Sequence, residues 1–269
     1  MPNAPGGTLH GMVNSAPDSS RSPLEPAAAA PRPLAGLSIV LPCFNEEDNV
    51  ADAIRNAASA ARLTSLDYEI VVVDDGSSDR TAEVAGAFLD SDPHVRLVVH
   101  ARNRGYGDAV RSGIDHATQP WVLLTDADLQ FDLRQLVDFL PLAPTSDLIM
   151  GWRAKRSDPF NRRLNAAAWN KLVRTLFALP VHDVDCAFKL VRRDVLEQIE
   201  LDSSGAMIST ELLVRSLAVG ARLSEVEVNH RPRVAGEQSG ANPRVVLRAF
   251  RELAQLRSTL RGLSAGPAS

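Results

Sequence analysis

The sequence predicts an α/β protein: a mainly parallel sheet, Rossmann-like, with helices on both faces and a helical extension at the carboxyl end. Two observations carry that prediction. Short apolar runs alternate with amphipathic helical windows from Leu37 onward, the pattern of strands separated by crossover helices. The runs are also continuously apolar, as strands buried on both faces must be.

The elements follow in order. LSIVLP, Leu37 to Pro42, reads as a first strand. EEDNVADAIRNAASAARL follows as a helix whose apolar face is Val50, Ala53, Ile54, Ala57 and Ala61. YEIVVVDD (Tyr68 to Asp75) is a second strand of the fully buried type, and SSDRTAEVAGAFL opens with helix-capping residues and continues as a helix. VRLVV is a third strand, GYGDAVRSGIDHA a helix entered through glycines, WVLLTD a fourth strand and DLIMG a fifth. Beyond Gly151 the alternation is less regular. Helical windows at Arg162 to Phe177, Val195 to Ile199 and Thr210 to Ala218 surround strand candidates at Phe188 to Val191 and Leu223 to Val228. A last helix, Pro243 to Arg261, carries five arginines against one glutamate. Its default reading is a solvated helix packed on the domain, with a membrane-surface role as the alternative.

Three segments result: a disordered tail at 1–33, rich in Pro, Ala, Ser and Gly; a single domain at 34–240, uninterrupted by any linker composition; and the basic helix with its tail at 241–269. A formal net charge of -4 gives no sign of a nucleic-acid binder. Cys43 and Cys186 are the two cysteines, too few for a disulfide framework and without metal-ligand spacing, which points to the cytoplasm. No apolar run approaches the roughly 18 residues of a membrane span, and the amino terminus lacks a secretory-signal layout. Membrane contact, if any, is expected to be peripheral.

In open parallel sheets, ligands bind beyond the carboxyl ends of the strands. Those ends are polar here. The first runs into Pro42-Cys43-Phe44-Asn45-Glu46, the second into Asp74-Asp75-Gly76-Ser77-Ser78, and the fourth into Thr125-Asp126-Ala127-Asp128. Asn103-Arg104-Gly105-Tyr106-Gly107 follows the third. Asp74 and Asp75 suit ribose hydroxyls or a base N–H, or else shape a turn with Ser77 and Ser78. Gly105 and Gly107 start a helix or let backbone approach a ligand closely. Asp126 and Asp128 lie two apart at a strand end, and two carboxylates that close repel unless a cation separates them. Mg²⁺ or Mn²⁺ takes one or two protein carboxylates and fills its other positions with phosphate oxygens and water. The pair therefore reads as a metal–diphosphate site. No histidine stands out: His100 and His116 look structural or superficial, and His182 has no partner motif.

LSIVLPCFNEE, VVVDDGSSDRT, ARNRGYGDAVRSG, LLTDADLQ, DVDCAFKLVRRDVL and ELLVRSLAVGARLSEVEV together resemble the family-two glycosyltransferases, most closely their dolichol-phosphate mannosyltransferase-like branch. The resemblance implies the GT-A fold, a nucleotide-sugar donor and inverting, cation-dependent transfer, commonly to a polyprenyl phosphate. It implies donor contacts at Pro42, Phe44 (where Tyr is usual), Glu46, Asp74, Asp75, Ser77, Asn103, Gly105, Gly107 and Ala127. It implies metal contacts at Asp126, Asp128 and Gln130, with Asp126, Asp128 and Arg153 catalytic. Trp152 stands where the family has Ser, and Ala187 where Gly is commoner, ahead of Phe188 and Lys189. Arg162, Arg163 and, in HRPRVAGEQSG, Ser239 match the acceptor-phosphate side, although the lysine that often follows that serine is absent. A phosphate acceptor is already anionic and needs guanidinium clamps rather than a general base. A soluble acceptor, or a noncatalytic subunit that binds nucleotide sugar beside a membrane-protein partner, are the alternatives.

Overall fold

The computed structural model describes residues 31–154, 160–232 and 243–264, with side chains described over 31–154, 166–232 and 248–259. Residues Arg32–Ser269 cluster as one compact unit. Its strands are β1 (Leu37–Cys43), β2 (Tyr68–Asp74), β3 (Val95–Val99), β4 (Trp121–Leu124), β5 (Leu148–Trp152), β6 (Lys189–Arg192) and β7 (Leu223–Glu227). Its helices are α1 (Val50–Thr64), α2 (Thr81–Gly86), α3 (Tyr106–His116), α4 (Phe160–Phe177), α5 (Arg193–Leu196), α6 (Ile208–Ala218) and α7 (Pro243–Ser264), with a 3₁₀ helix at Leu133–Phe139.

The seven strands form one sheet in the order β3-β2-β1-β4-β6-β5-β7. Every pairing is parallel except the two made by β6, which runs against β4 and β5. Alternation along each strand divides the core in two. Ile39, Leu41, Ile70, Val72, Leu123, Ile149 and Leu190 face a layer that contains the small-residue face of α1 and the 3₁₀ helix. Val40, Val71, Val73, Val122, Leu124, Met150 and Val191 face the layer of α3, α6 and the carboxyl-terminal helix α7. Alanines at 53, 57, 58, 60 and 61 let α1 lie close to the sheet. Leu253 and Leu256 of α7 are spent in the second core, while Phe250 is 48% exposed and meets Trp169 of α4 edge-on. Of the apolar residues that this helix offers, Val246, Leu247, Phe250, Leu253 and Leu260 by sequence, Leu253 is therefore already used inside the fold.

Two differences from the expected elements have physical causes. The second helix stops at Gly86, because the chain to Leu89 continues through tighter three-residue hydrogen bonds, Phe88 N–H to Ala85 O and Leu89 N–H to Gly86 O. The 3₁₀ helix at Leu133–Phe139, unread in the sequence, starts where the Asp132 carboxylate caps the Arg134 amide.

Candidate functional site

The strand order reverses direction of growth at one place: β2 and β3 lie to one side of β1, and β4 to the other. A doubly wound sheet opens its crevice at that switch point. Here β1 pairs with β4 only as far as Val40 opposite Leu124, with Thr125 N–H reaching Val40 O, while β1 continues to Cys43 beside Asp74 of β2. Phe44-Asn45-Glu46 and Asp126-Ala127-Asp128 thus leave the sheet on the two walls of the crevice. Because β5 and β7 run parallel to β1 and β4, and β6 antiparallel, Trp152-Arg153, the loop before Lys189 and the chain after Glu227 emerge on the same edge.

Asp126 accepts a hydrogen bond from Tyr106 Oη at 2.9 Å. Asp128 is buried, and its Oδ1 accepts from Gln130 N at 3.1 Å across Leu129, which sits at φ 61°. A leucine in the left-handed region costs about 1–3 kcal/mol and is held only where surroundings impose it. Both acids act on one spot. The Tyr106 phenol is pushed well above its ordinary range by burial, then by the Asp126 charge and hydrogen bond, then by the Asp128 charge. The Cys43 thiol is likewise raised by burial and then by Glu46, Asp74 and Asp126. Among the described residues no group of three His, Cys, Asp or Glu could hold a metal by itself. Mg²⁺ and Mn²⁺ take one or two protein carboxylates and complete their shells with diphosphate oxygens and water, a donor set that Asp126 and Asp128 match in kind.

The donor-side loops are more internally committed than the sequence suggested. Asp75 accepts from His100 Nδ1 at 2.7 Å, Arg104 N at 2.9 Å and Gly105 N at 2.8 Å, so its carboxylate organises the entry to α3. His100, read as structural or superficial, is buried and uses both ring nitrogens, the second on Ser112 Oγ at 2.9 Å. The Asp74 carboxylate accepts a long bond from Ser77 N, 3.3 Å. Ser77 Oγ accepts from Asn45 N, and Asn45 Oδ1 accepts from Ser78, lacing the first two strand ends together. Glu46 is a capping residue as much as a site residue: its carboxylate takes Asn49 Nδ2 at 2.6 Å and its carbonyl starts α1. Phe44 stands 45% exposed at the rim, Pro42 is half-buried, Asn103 is exposed and Ala127 is buried.

Gly105 caps α3, in keeping with the helix-start reading of these glycines. A Cβ on Gly105 would stand 2.4 Å from Ser204 O, and one on Gly107 2.2 Å from Ser203 O. The close approach that these glycines permit is made by the chain's own 203–204 backbone, with Gly107 N–H donating to Ser204 O.

On the acceptor side, Arg153 is not a solitary clamp. Its Nε and Nη2 donate to Asp183 at 2.6 and 2.9 Å in a buried fork. Burial opposes its charge, but the Asp183 bonds and field outweigh that and raise it above the ordinary arginine range. Lys189 is fully buried, and its ammonium donates to the carbonyls of Val184 and Cys186, closing the turn that carries Asp183. His182 Nδ1 meets Glu225 at 2.8 Å and its ring packs 4.9 Å from Trp152. Gln130 Nε2 donates to Arg231 O at 3.0 Å, and Arg231 N–H returns a bond to Gln130 O, so the proposed metal glutamine ties the fourth strand end to the chain beyond β7. Arg162 and Arg163 lie in the first turns of α4, where only the backbone is described, and Ser239 lies outside the described residues. Tyr106 and Asp183 were not singled out because each acts on a residue brought to it by folding; only the Asp183-Val184-Asp185 pattern offered a local signal.

The fold is an open, mostly parallel α/β sheet with Asp126 and Asp128 following the strand end at its switch point. The model of the family described as Glycosyl transferase family 2 matches residues 38–200, and the chain belongs to that family. Among its relatives, a Dodecaprenyl-phosphate galacturonate synthase of Rhizobium johnstonii is 29% identical over 83% of this chain and 66% of its own length. An Undecaprenyl-phosphate 4-deoxy-4-formamido-L-arabinose transferase of an Enterobacter species is 28% identical over 78% and 64%. An uncharacterized glycosyltransferase of Mycobacterium tuberculosis is 33% identical over 75% and 88%. The chain thus spans about two thirds of the length of the two lipid-phosphate relatives. In fold it resembles the glucosyl-3-phosphoglycerate synthase of Mycobacterium tuberculosis crystallised with Mn²⁺ and UDP-glucose, at TM-score 0.61 and 18% identity over 82% of this chain and 79% of that one. Among the described residues no helix is long and apolar enough to cross a membrane.

Proposed function

We propose that this chain is an inverting glycosyltransferase that moves a sugar from a nucleotide-sugar donor to a polyprenyl phosphate at the cytoplasmic face of a membrane. The observation that carries the reading is the placement of Asp126 and Asp128 at the switch point, both within the electrostatic reach of one hydroxyl. The names of the two lipid-phosphate relatives support the acceptor class.

Asp126 and Asp128 would hold Mg²⁺ or Mn²⁺ against the donor diphosphate, and the cation would supply Lewis-acid stabilisation of the leaving group. The protein's own residues do the rest. Phe44 offers an exposed ring at the rim beside Asp74, where a base and ribose would lie. The Asp183 fork uses the Nε–Nη2 edge of Arg153, leaving Nη1 donors for an anionic acceptor. Such an acceptor arrives as a nucleophile, so these groups have only to position it; Arg162, Arg163 and Ser239 complete the proposed acceptor set.

The test is transfer from a panel of UDP-, GDP- and dTDP-sugars with Mn²⁺, with and without polyprenyl phosphate. Lipid-dependent transfer that chelation abolishes is expected, with Asp128→Asn reducing kcat/KM by about 10²–10³-fold, the scale of removing one preorganised charge-stabilising group. Transfer only to water-soluble acceptors would replace the acceptor class. Metal-independent turnover, or full activity in Asp128→Asn, would overturn the site.

A further inference from the structure

We propose that Tyr106 is a positioning residue for the cation site, its hydroxyl fixing the Asp126 carboxylate, and that Asp75 sets Tyr106 in place through the amino end of α3. This rests on the reading that Asp126 and Asp128 hold the cation.

Tyr106 is the first residue of α3, and its Oη reaches Asp126 Oδ1 at 2.9 Å. Its ring lines a small cavity of about 10 Å³ with Val110, Leu124, Ile208 and Leu212, between α3, β4 and α6. The phenol therefore approaches Asp126 from the core, beneath the crevice. The backbone that carries it is pinned from two sides. Asp75 takes the Gly105 and Arg104 amides, with His100 behind it, and the Ser203–Ser204 backbone presses on Gly105 and Gly107 so closely that neither tolerates a Cβ. With its ring half-buried against that packing and its backbone pinned, Tyr106 presents its hydroxyl to Asp126.

A carboxylate on a loop beyond a strand has two free torsions, and binding a cation to it costs the ordering of both. A hydrogen bond from a fixed donor removes that cost before the cation arrives. Partners that orient a metal ligand in this way typically change metal affinity by about 10–100-fold. The hydroxyl is needed; the ring alone is not sufficient. The same chain of contacts, Asp75 to Gly105 N to Tyr106 to Asp126, makes the second strand end a determinant of the fourth.

The experiment compares wild type, Tyr106→Phe and Leu212→Ala by Mn²⁺ titration in the presence of UDP, read by electron paramagnetic resonance of free Mn²⁺, with a thermal melt of each protein. Tyr106→Phe keeps the ring packing and is expected to melt as wild type while weakening Mn²⁺ about 10-fold or more, with kcat at saturating Mn²⁺ within about threefold, the signature of lost binding alone. Leu212→Ala loosens the same packing but keeps the hydroxyl and the pinned backbone, and is expected to lower Tm with a smaller loss of Mn²⁺ affinity than Tyr106→Phe. Unchanged or tighter Mn²⁺ binding in Tyr106→Phe, or an equal loss in Leu212→Ala, overturns the positioning role and leaves the cation site standing. Failure of the wild type to bind Mn²⁺ with UDP overturns both.

Discussion

At the residue scale, the site is built from polar groups that burial would penalise and that local partners rescue. Lys189 shows the balance. Burial pushes its ammonium below the usual lysine range, while the fields of Cys186, Asp185 and Asp183 and two carbonyl acceptors favour the charge. In the two thiols burial prevails. Burial raises Cys43 well above its ordinary value, and pushes Cys186 up to about 11 despite the lowering field of Arg153. Thiolate is the reactive form, so neither cysteine should react with a thiol-directed disulfide reagent at pH 8 in the native protein, and both should react after denaturation. Fast labelling of Cys43 in the native state would show that the crevice floor is open. The acidic pair was legible in the sequence, since Asp126 and Asp128 needed only their spacing and an apolar run before them. Their partners were not. Tyr106 stands 20 positions from Asp126, and Arg153 stands 30 from Asp183, distances over which no local pattern persists.

At the element scale, strands and helices were read correctly where a run was long and its period clear, as in β1, β2, α1 and α3. The mainly parallel sheet was legible, but the reversed direction of β6 was not. Nothing in FKLV distinguishes a strand that runs with its neighbours from one that runs against them, and β6 is antiparallel on both sides. Close packing between elements was equally hidden. Gly113 of α3 faces β1, and a Cβ there would stand 2.1 Å from Val40 Cγ1. Alanine would gain about 1 kcal/mol of helix propensity at an unconstrained position. Val40 is fully buried and β-branched, so it has no rotamer to yield to. Overpacking should win, and Gly113→Ala is expected to cost about 1–3 kcal/mol net in urea denaturation; a stabilised variant would show that α3 can ride outward from the sheet.

At the scale of the whole molecule, exposed arginines tie distant parts through carboxylates with depressed pKa values. Hydrogen bonds from Arg134, with the fields of Arg134 and Arg231, hold Asp132 down to about 2. Hydrogen bonds from Arg222 hold Asp147 down to about 2, joining the starts of β5 and β7. Each folded carboxylate binds its proton more weakly than the ordinary value of 3.8. The stability they contribute is therefore present above about pH 4 and is lost as pH falls toward 2. Tm should drop across that window, and Asp147→Asn should drop less steeply while starting lower at neutral pH; parallel curves would remove Asp147 from the account. The crevice itself was half legible: polar strand ends announced an active edge, but which two strands flank it depends on the sheet order, which only the folded chain displays.

The reversed strand has one more consequence. Because β6 lies antiparallel between β4 and β5, the stretch from Arg153 to Phe188 departs and re-enters at the same rim, like a handle fixed at both ends. Its length and chemistry can change without depriving β1, β2 or β4 of a neighbour. On the proposed reading, exchange of that handle between relatives would retune the choice of recipient while the groups proposed to grip the activated sugar stay as they are.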